Sequence, residues 1–184
     1  MRSPGQALEM VRRRGVVRMS DVVNVLAGEA VKGSWWAHPR GKFIFNVLSA
    51  LEDGGRVGFL KLDGERVWLV HLRLFPHVVR VAMDEARRAE ALEGLSPVAR
   101  RLLQDVEARG EVRVDRWTGT KDPTARKKAR VALEARLLVH SASEHTESGA
   151  HATVLRTWAR WAGPEVLRAA KALSLADARR ALKL

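Results

Sequence analysis

Hydrophobic positions along this chain fall into stretches with a period near 3.6 residues, separated by short β-prone runs. Ser3-Pro4 supplies an N-cap and a first-turn proline. Ala7, Leu8, Val11 and Arg12 then keep helical spacing until Gly15 stops the helix. "VVRM", from Val16 to Met19, predicts a short extended piece, and Ser20 or Asp21 a cap for a second helix through Leu26. The pattern breaks between Gly28 and Gly33. His38-Pro39 predicts the start of a third helix with Phe43, Val47, Leu48 and Leu51 on one face, ended by Asp53-Gly54-Gly55. In "RVGFLKLDGERVWLVHL" two β-prone runs flank Asp63-Gly64, a pair that tolerates the positive φ of a tight hairpin turn.

The same order then recurs. Residues 84–94 are charged, lack a clear apolar face, and predict a helical or irregular linker. Ser96-Pro97 repeats the opening signal, with Leu102, Leu103 and Val106 on an apolar face up to Gly110. "EVRV" predicts a strand, Asp115 a cap for a short helix through Thr118, and Asp122-Pro123 a further helix to about Ala135. A hairpin around "SEHTESGAH" closes the set. "RRGVVRMSD" from Arg13 parallels "ARGEVRVDR" from Ala108, and "SALEDGGRVGF" from Ser49 parallels "VALEARLLVH" from Val131. Two similarities in one order point to a duplicated unit. Helix, strand, helix, helix, hairpin is the order of a winged helix.

The expected fold is therefore mainly α with small β-hairpins. It has two tandem winged-helix domains, at 1–83 and 95–161, joined by the 84–94 linker and followed by a C-terminal helical extension at 162–184. Gly163-Pro164 breaks and restarts that extension. Leu167, Ala170, Lys171 and Leu175 give it a partial apolar stripe that packs on the second wing or on a partner, with a homodimer through these helices as one form of the latter.

Charge changes the picture from fold to partner. The net charge is +12 and the pI near 11.2. The first 90 residues carry 15 basic and 10 acidic side chains, +5, and the remainder 18 and 11, +7. A positive charge spread over both halves favours a polyanion such as nucleic acid; codon bias towards arginine is the alternative source. The absence of cysteine excludes disulfides, thiolate zinc sites and a cysteine nucleophile. The N-terminal stretch has charge but no long apolar core, and no apolar run approaches a membrane span, so the expectation is a soluble cytoplasmic protein without membrane attachment. Gly-rich phosphate loops, metalloprotease helix motifs and nucleophile elbows are missing.

Candidate contacts follow from the third helix of each unit, the element that enters the major groove in a winged helix. In the second unit Ala125, Ala129, Ala132 and Leu133 share one side, Arg126, Lys127 and Arg130 fall on the other, and the leading turn carries Thr124, Arg126, Lys127 and Lys128. Arginine pairs with guanine, lysine neutralises phosphate, and Thr124 suits a phosphate at the helix start. The first unit offers Arg40, Lys42, Asn46 and Ser49, led by His38. Trp35-Trp36 just ahead is able to stack bases, although buried packing is the commoner fate of such a pair. At the second hairpin His145 and His151 are expected to contact phosphate. With Glu144 or Glu147 they would also make a legitimate zinc set, but the loop composition predicts no metal. Trp158 and Trp161 are i, i+3 neighbours expected in a core.

The tandem order, the segment "LEARLLV" and the closing tryptophans resemble the winged-helix superfamily that includes AlkZ-type DNA glycosylases, and most of all its short bacterial members. Trp35-Trp36 with Lys42, then Leu74 and Pro76, then Leu95-Ser96 carry the likeness, which covers roughly residues 4–161. The resemblance implies a DNA-binding scaffold. Glycosylases of this kind place a Gln, a spacer and a Gln or Asp on the attacking water. Here Leu8 and Val106 stand two residues after Gln6 and Gln104, so that motif is missing. The expectation is a double-stranded DNA-binding protein with no catalytic residues and no cofactor, in a regulatory, architectural or repair-associated role. The alternatives are a divergent base-excision enzyme and a protein-interaction scaffold of a chromosome-organising complex.

Overall fold

The computed structural model describes residues 3–64, 66–145 and 151–184. It divides into two units, Met1–Leu60 with Arg66–Phe75, and Lys61–Glu65 with Pro76–Leu184. The described residues are mainly helical, with two small antiparallel sheets of three strands.

The first unit opens with α1 (Pro4–Arg14). Ser3 Oγ accepts from Gln6 N–H, and Ala7 and Val11 are the buried positions. Gly15, at φ 75°, ends the helix where a Cβ would lie 2.9 Å from Leu74 Cδ1, so both conformation and space require glycine. Strand β1 (Val16–Arg18) follows, then α2 (Met19–Ala27). This helix starts ahead of Ser20 and Asp21, and no side chain caps it. Met19 N–H donates instead to Val67 O, so the strand pairing runs straight into the first turn.

Helix α3 (Gly41–Asp53) also starts later than His38-Pro39 suggests. Trp35–Ala37 form a 3₁₀ turn, and His38 Nδ1 accepts from Arg40 N–H. The buried stripe of α3 is Ile44, Val47, Leu48 and Leu51. Phe43, expected there, is only partly buried, and the Arg40 guanidinium lies over its ring at 4.7 Å. Strands β2 (Val57–Leu60) and β3 (Trp68–His71) pair antiparallel, and the last pair is Leu60 with Trp68. The connection therefore spans 61–67 rather than a two-residue turn at Asp63-Gly64, and Leu62 within it is buried. Strand β1 pairs with β3, giving the order β1-β3-β2. His71 N–H donates to Gly15 O at 2.9 Å, closing the sheet against the end of α1.

Helix α4 (Phe75–Ala82) has no counterpart in the sequence expectation. Its Val78, Val79 and Val81 are β-branched and read as strand formers, but burial of these residues and Ala82 outweighs that small propensity. The 84–94 stretch is helical as α5 (Glu85–Leu92), capped by Asp84. It is pinned rather than free. Arg87 donates to Val81 O, Ala82 O, Arg136 O and Leu137 O.

Helix α6 (Pro97–Arg109) is capped by Ser96, buries Ala99, Leu102, Leu103 and Val106, and ends at Gly110 with φ 79°. Strand β4 (Glu111–Arg113) leads into a 3₁₀ turn at Val114–Arg116. That turn replaces the short helix expected from Asp115, whose carboxylate is held by the Arg113 guanidinium at 2.6 and 2.9 Å. Helix α7 (Pro123–Ala135) begins and ends where Asp122-Pro123 predicts, with Asp122 accepting from Thr124 N–H at 2.8 Å. Strands β5 (His140–His145) and β6 (His151–Arg156) complete a sheet in the order β4-β6-β5. Thr157 N–H donates to Gly110 O at 3.0 Å, the same closure as His71 to Gly15.

The C-terminal part is α8 (Trp158–Lys171), broken at Gly163, and α9 (Leu175–Leu182). Trp158 is buried and donates to Leu137 O at 2.8 Å, and Trp161 stacks on His140 at 4.6 Å, so the start of α8 seats on β5. Farther on, Leu167, Ala170 and Leu173 line a cavity with Val79 and Met83. Arg80 Nε donates to Leu173 O at 3.0 Å. The α8 part of the apolar stripe thus faces α4, and the contact with the second sheet is made by Trp158 and Trp161 ahead of it.

Candidate nucleic-acid interface

In the second unit the start of α7 is built by side-chain capping. Thr120 Oγ1 accepts from Asp122 N–H, and Asp122 in turn holds Thr124 N–H. Pro123 fits the first turn, where its missing donor costs nothing. Thr124, Lys127 and Lys128 then project to solvent, with no ion-pair partner for either lysine among the described residues. Positions 124, 127 and 128 lie on one side of a helix. Two cations and a hydroxyl on an exposed helix start match a polyanion in charge and in hydrogen-bonding type.

The other two basic candidates on α7 point elsewhere. Arg126 turns inward and donates to Val114 O, Asp115 O and Thr120 O, tying α7 to the 3₁₀ turn and to the loop before it. Its Nε is buried without a partner. A guanidinium engaged with three carbonyls is not free to read a guanine. Arg130 donates to Glu134 Oε1 at 2.9 Å, and Lys61 pairs with the other carboxylate oxygen. Glu134 is 3% exposed, so the three charges form a largely desolvated triad. Arg126 and Arg130, expected to contact DNA, are thus both engaged with partners inside the fold.

At the hairpin, the β5–β6 register sets His145 opposite His151. Their side chains, and Glu147, lie outside the described residues. Glu144 is ion-paired with Arg156, which also donates to Glu111 at 3.1 Å. Arg160 approaches the same Glu111 oxygen at 3.1 Å, and hydrogen bonding from Arg156, followed by the charge of Arg160, lowers the Glu111 pKa. Among the described residues no group of three or more His, Asp or Glu is placed to hold a metal.

In the first unit, Lys42 and Asn46 are exposed on α3 and one turn apart. Arg40 is half-buried. Besides covering Phe43, it reaches Ala27 O at 3.4 Å and so joins the start of α3 to the end of α2. The tryptophan pair divides: Trp35 is partly buried against the core of the unit, and Trp36 departs from the expected burial. Trp35 and Trp36 stack at 4.2 Å, Trp36 also lies 5.1 Å from Phe45, and Trp36 is 61% exposed. Phe45, which the sequence reading passed over, stands between Lys42 and Asn46 and is 36% exposed. Its signal was the spacing: an aromatic three residues after Lys42 shares the side of the helix that Lys42 occupies.

A second basic cluster was also passed over. Burial and then the charges of Arg73, Arg12 and Arg56 depress the pKa of His71. Arg12 is partly neutralised by Glu9, whose carboxyl Arg12 and Arg13 hold down to about 2. No helix among the described residues is long and apolar enough to cross a membrane. A scan against protein-family models, a search of curated proteins and a search of solved structures each return no match for this chain.

Proposed function

We propose that the chain is a tandem winged-helix protein that binds double-stranded DNA without catalysis, inserting α3 and α7 in the major groove. The observation that carries this reading is the exposed start of α7, where Thr124, Lys127 and Lys128 stand free of carboxylates while the remaining cations of the helix serve the fold. The recurrence of one arrangement supports it. In both units the strand after the first helix joins the last strand of the hairpin, and that strand's end bonds the glycine carbonyl behind the helix. A charge of +5 and +7 in the two halves supplies the attraction to phosphate.

The likeness to AlkZ-type glycosylases enters this reading as a scaffold only, since Leu8 and Val106 stand where their chemistry needs Gln or Asp. The buried carboxylate of Glu134 is balanced by Arg130 and Lys61, which suits a structural role better than a catalytic one. A cytoplasmic location beside the DNA belongs to the same proposal. A homodimer through α8 and α9 belongs to it as well, with the packing of Leu167 and Ala170 beside Val79 and Met83 as a competing use of the α8 stripe.

The test is duplex binding by wild type and by the Lys127→Ala, Lys128→Ala double variant across a salt series. The reading expects wild type to bind and the variant to lose about one unit of log–log salt slope for each phosphate contact removed. Equal binding and equal slopes would remove α7 from the interface.

A further inference from the structure

Trp36 and Phe45 are large, apolar, exposed and in contact with each other, 5.1 Å apart with their planes at 39°. Scattered apolar side chains on a surface need no explanation, but an adjacent aromatic pair does. The pair is also held in place. Trp35 stacks on Trp36, Trp35 O accepts from His38 N–H at 3.1 Å, and His38 O accepts from Gly41 N–H at 2.7 Å. Gly41 permits this approach, because a Cβ there would come within 2.8 Å of Trp36 O and 3.1 Å of Trp35 O. Rings ordered before a ligand arrives lose little freedom on binding.

The surroundings of the pair are polar. Lys42 is one turn from Phe45 and one turn from Asn46 on α3, so it neighbours each of them, and the acidic residues of this helix, Glu52 and Asp53, are at its far end. Glu29, on the loop before the tryptophans, holds His38 Nε2 at 2.9 Å. An aromatic ledge framed by a cation and an amide is matched to a flat ring carried on a phosphate chain. Stacking takes the face of any base, Asn46 offers both a donor and an acceptor to its edge, and Lys42 lies within a helical turn for the adjoining phosphate.

We propose that Trp36 and Phe45 form a stacking platform for an unpaired nucleobase, so that the first unit prefers DNA carrying an unstacked or bulged base over perfect duplex. This rests on the DNA-binding reading of α3 and names the substrate feature it selects. The experiment compares a labelled, fully paired duplex with the same duplex carrying one unpaired thymine, by fluorescence anisotropy at moderate salt. The proteins are wild type, Trp36→Ala and Trp36→Phe. Wild type is expected to favour the bulged duplex. Trp36→Ala is expected to lose that preference by about five-fold or more, the scale of base–aromatic stacking, while its affinity for paired duplex stays within about two-fold. Trp36→Phe should keep most of the preference.

Equal wild-type binding of both duplexes overturns the platform but leaves the duplex reading intact. Binding of neither overturns both. A wild-type self-association seen in sedimentation and abolished by Trp36→Ala assigns the ledge to a protein contact and overturns the proposal as well.

Discussion

Arg130 donates to Glu134 across one turn of α7 at 2.9 Å, and this bond takes the arginine out of the exposed face of its helix. Glu134 is almost fully buried, so its charge depends on Arg130 and Lys61. Arg130→Ala should therefore destabilise the second unit, by about 1–3 kcal/mol with Lys61 still present. Glu134→Ala should cost more, because it strands two partly buried cations. Urea unfolding of both variants checks the order; a neutral Arg130→Ala would show the triad to be dispensable.

Arg126→Ala should behave in the same class. Its guanidinium satisfies Val114 O, Asp115 O and Thr120 O, and so adds to the Arg113–Asp115 bond and the burial of Val114 in holding the 3₁₀ turn. Melting should drop by a few degrees, whereas Lys127→Ala and Lys128→Ala should leave folding within about 0.5 kcal/mol of wild type. If the arginine variant melts normally yet binds DNA poorly, the inward orientation described above is not the one that matters in solution.

Leu133→Ala probes the core beneath the same helix. Leu133 is fully buried among Leu102, Val106 and Leu155, so truncation should cost about 2–5 kcal/mol, with DNA affinity falling only as far as the folded fraction falls. Thermal melting paired with affinity corrected for folded protein distinguishes this from a loss at the surface.

His140 gives the second unit an acid-sensitive element. Burial, with a smaller contribution from Arg156, pushes its pKa down from 6.5 to about 3, and its Nδ1 has no hydrogen-bond partner. A depressed histidine pKa means that only the unfolded chain takes up the proton between these values. This contribution to stability is therefore fully present above pH 6.5 and is lost progressively as pH falls towards 3. His140→Phe should preserve the stack on Trp161 and flatten stability over that window. Urea midpoints at several pH values measure it, and an unchanged acid slope would remove His140 as the cause.

Local rules carried much of the fold. Ser3, Ser96 and Asp122 cap the helices they precede, because an N-cap needs only a short oxygen-bearing side chain and a following apolar period. The parallel between the Gly15 and Gly110 segments was legible for the same reason: both glycines take positive φ and both carbonyls receive the returning strand. Tertiary partners decided the rest. Nothing adjacent to Arg126 reveals that the carbonyls of 114, 115 and 120 converge on it. Arg130 and Glu134 form a legible i, i+4 pair, but the burial that makes it structural comes from elsewhere in the unit. Helix α4 was hidden by its valines, whose strand preference is weaker than the burial they gain. The exposure of Trp36 depends on Gly41 drawing the tryptophan turn against α3, a close approach that spacing alone does not express.

The most direct test of the central claim is the affinity of the wild-type chain for perfectly paired duplex between low and moderate salt. Binding at low salt that weakens steeply, with a log–log slope of about −0.9 for each phosphate neutralised, is the predicted result. No binding at low salt, or binding indifferent to salt, would contradict it.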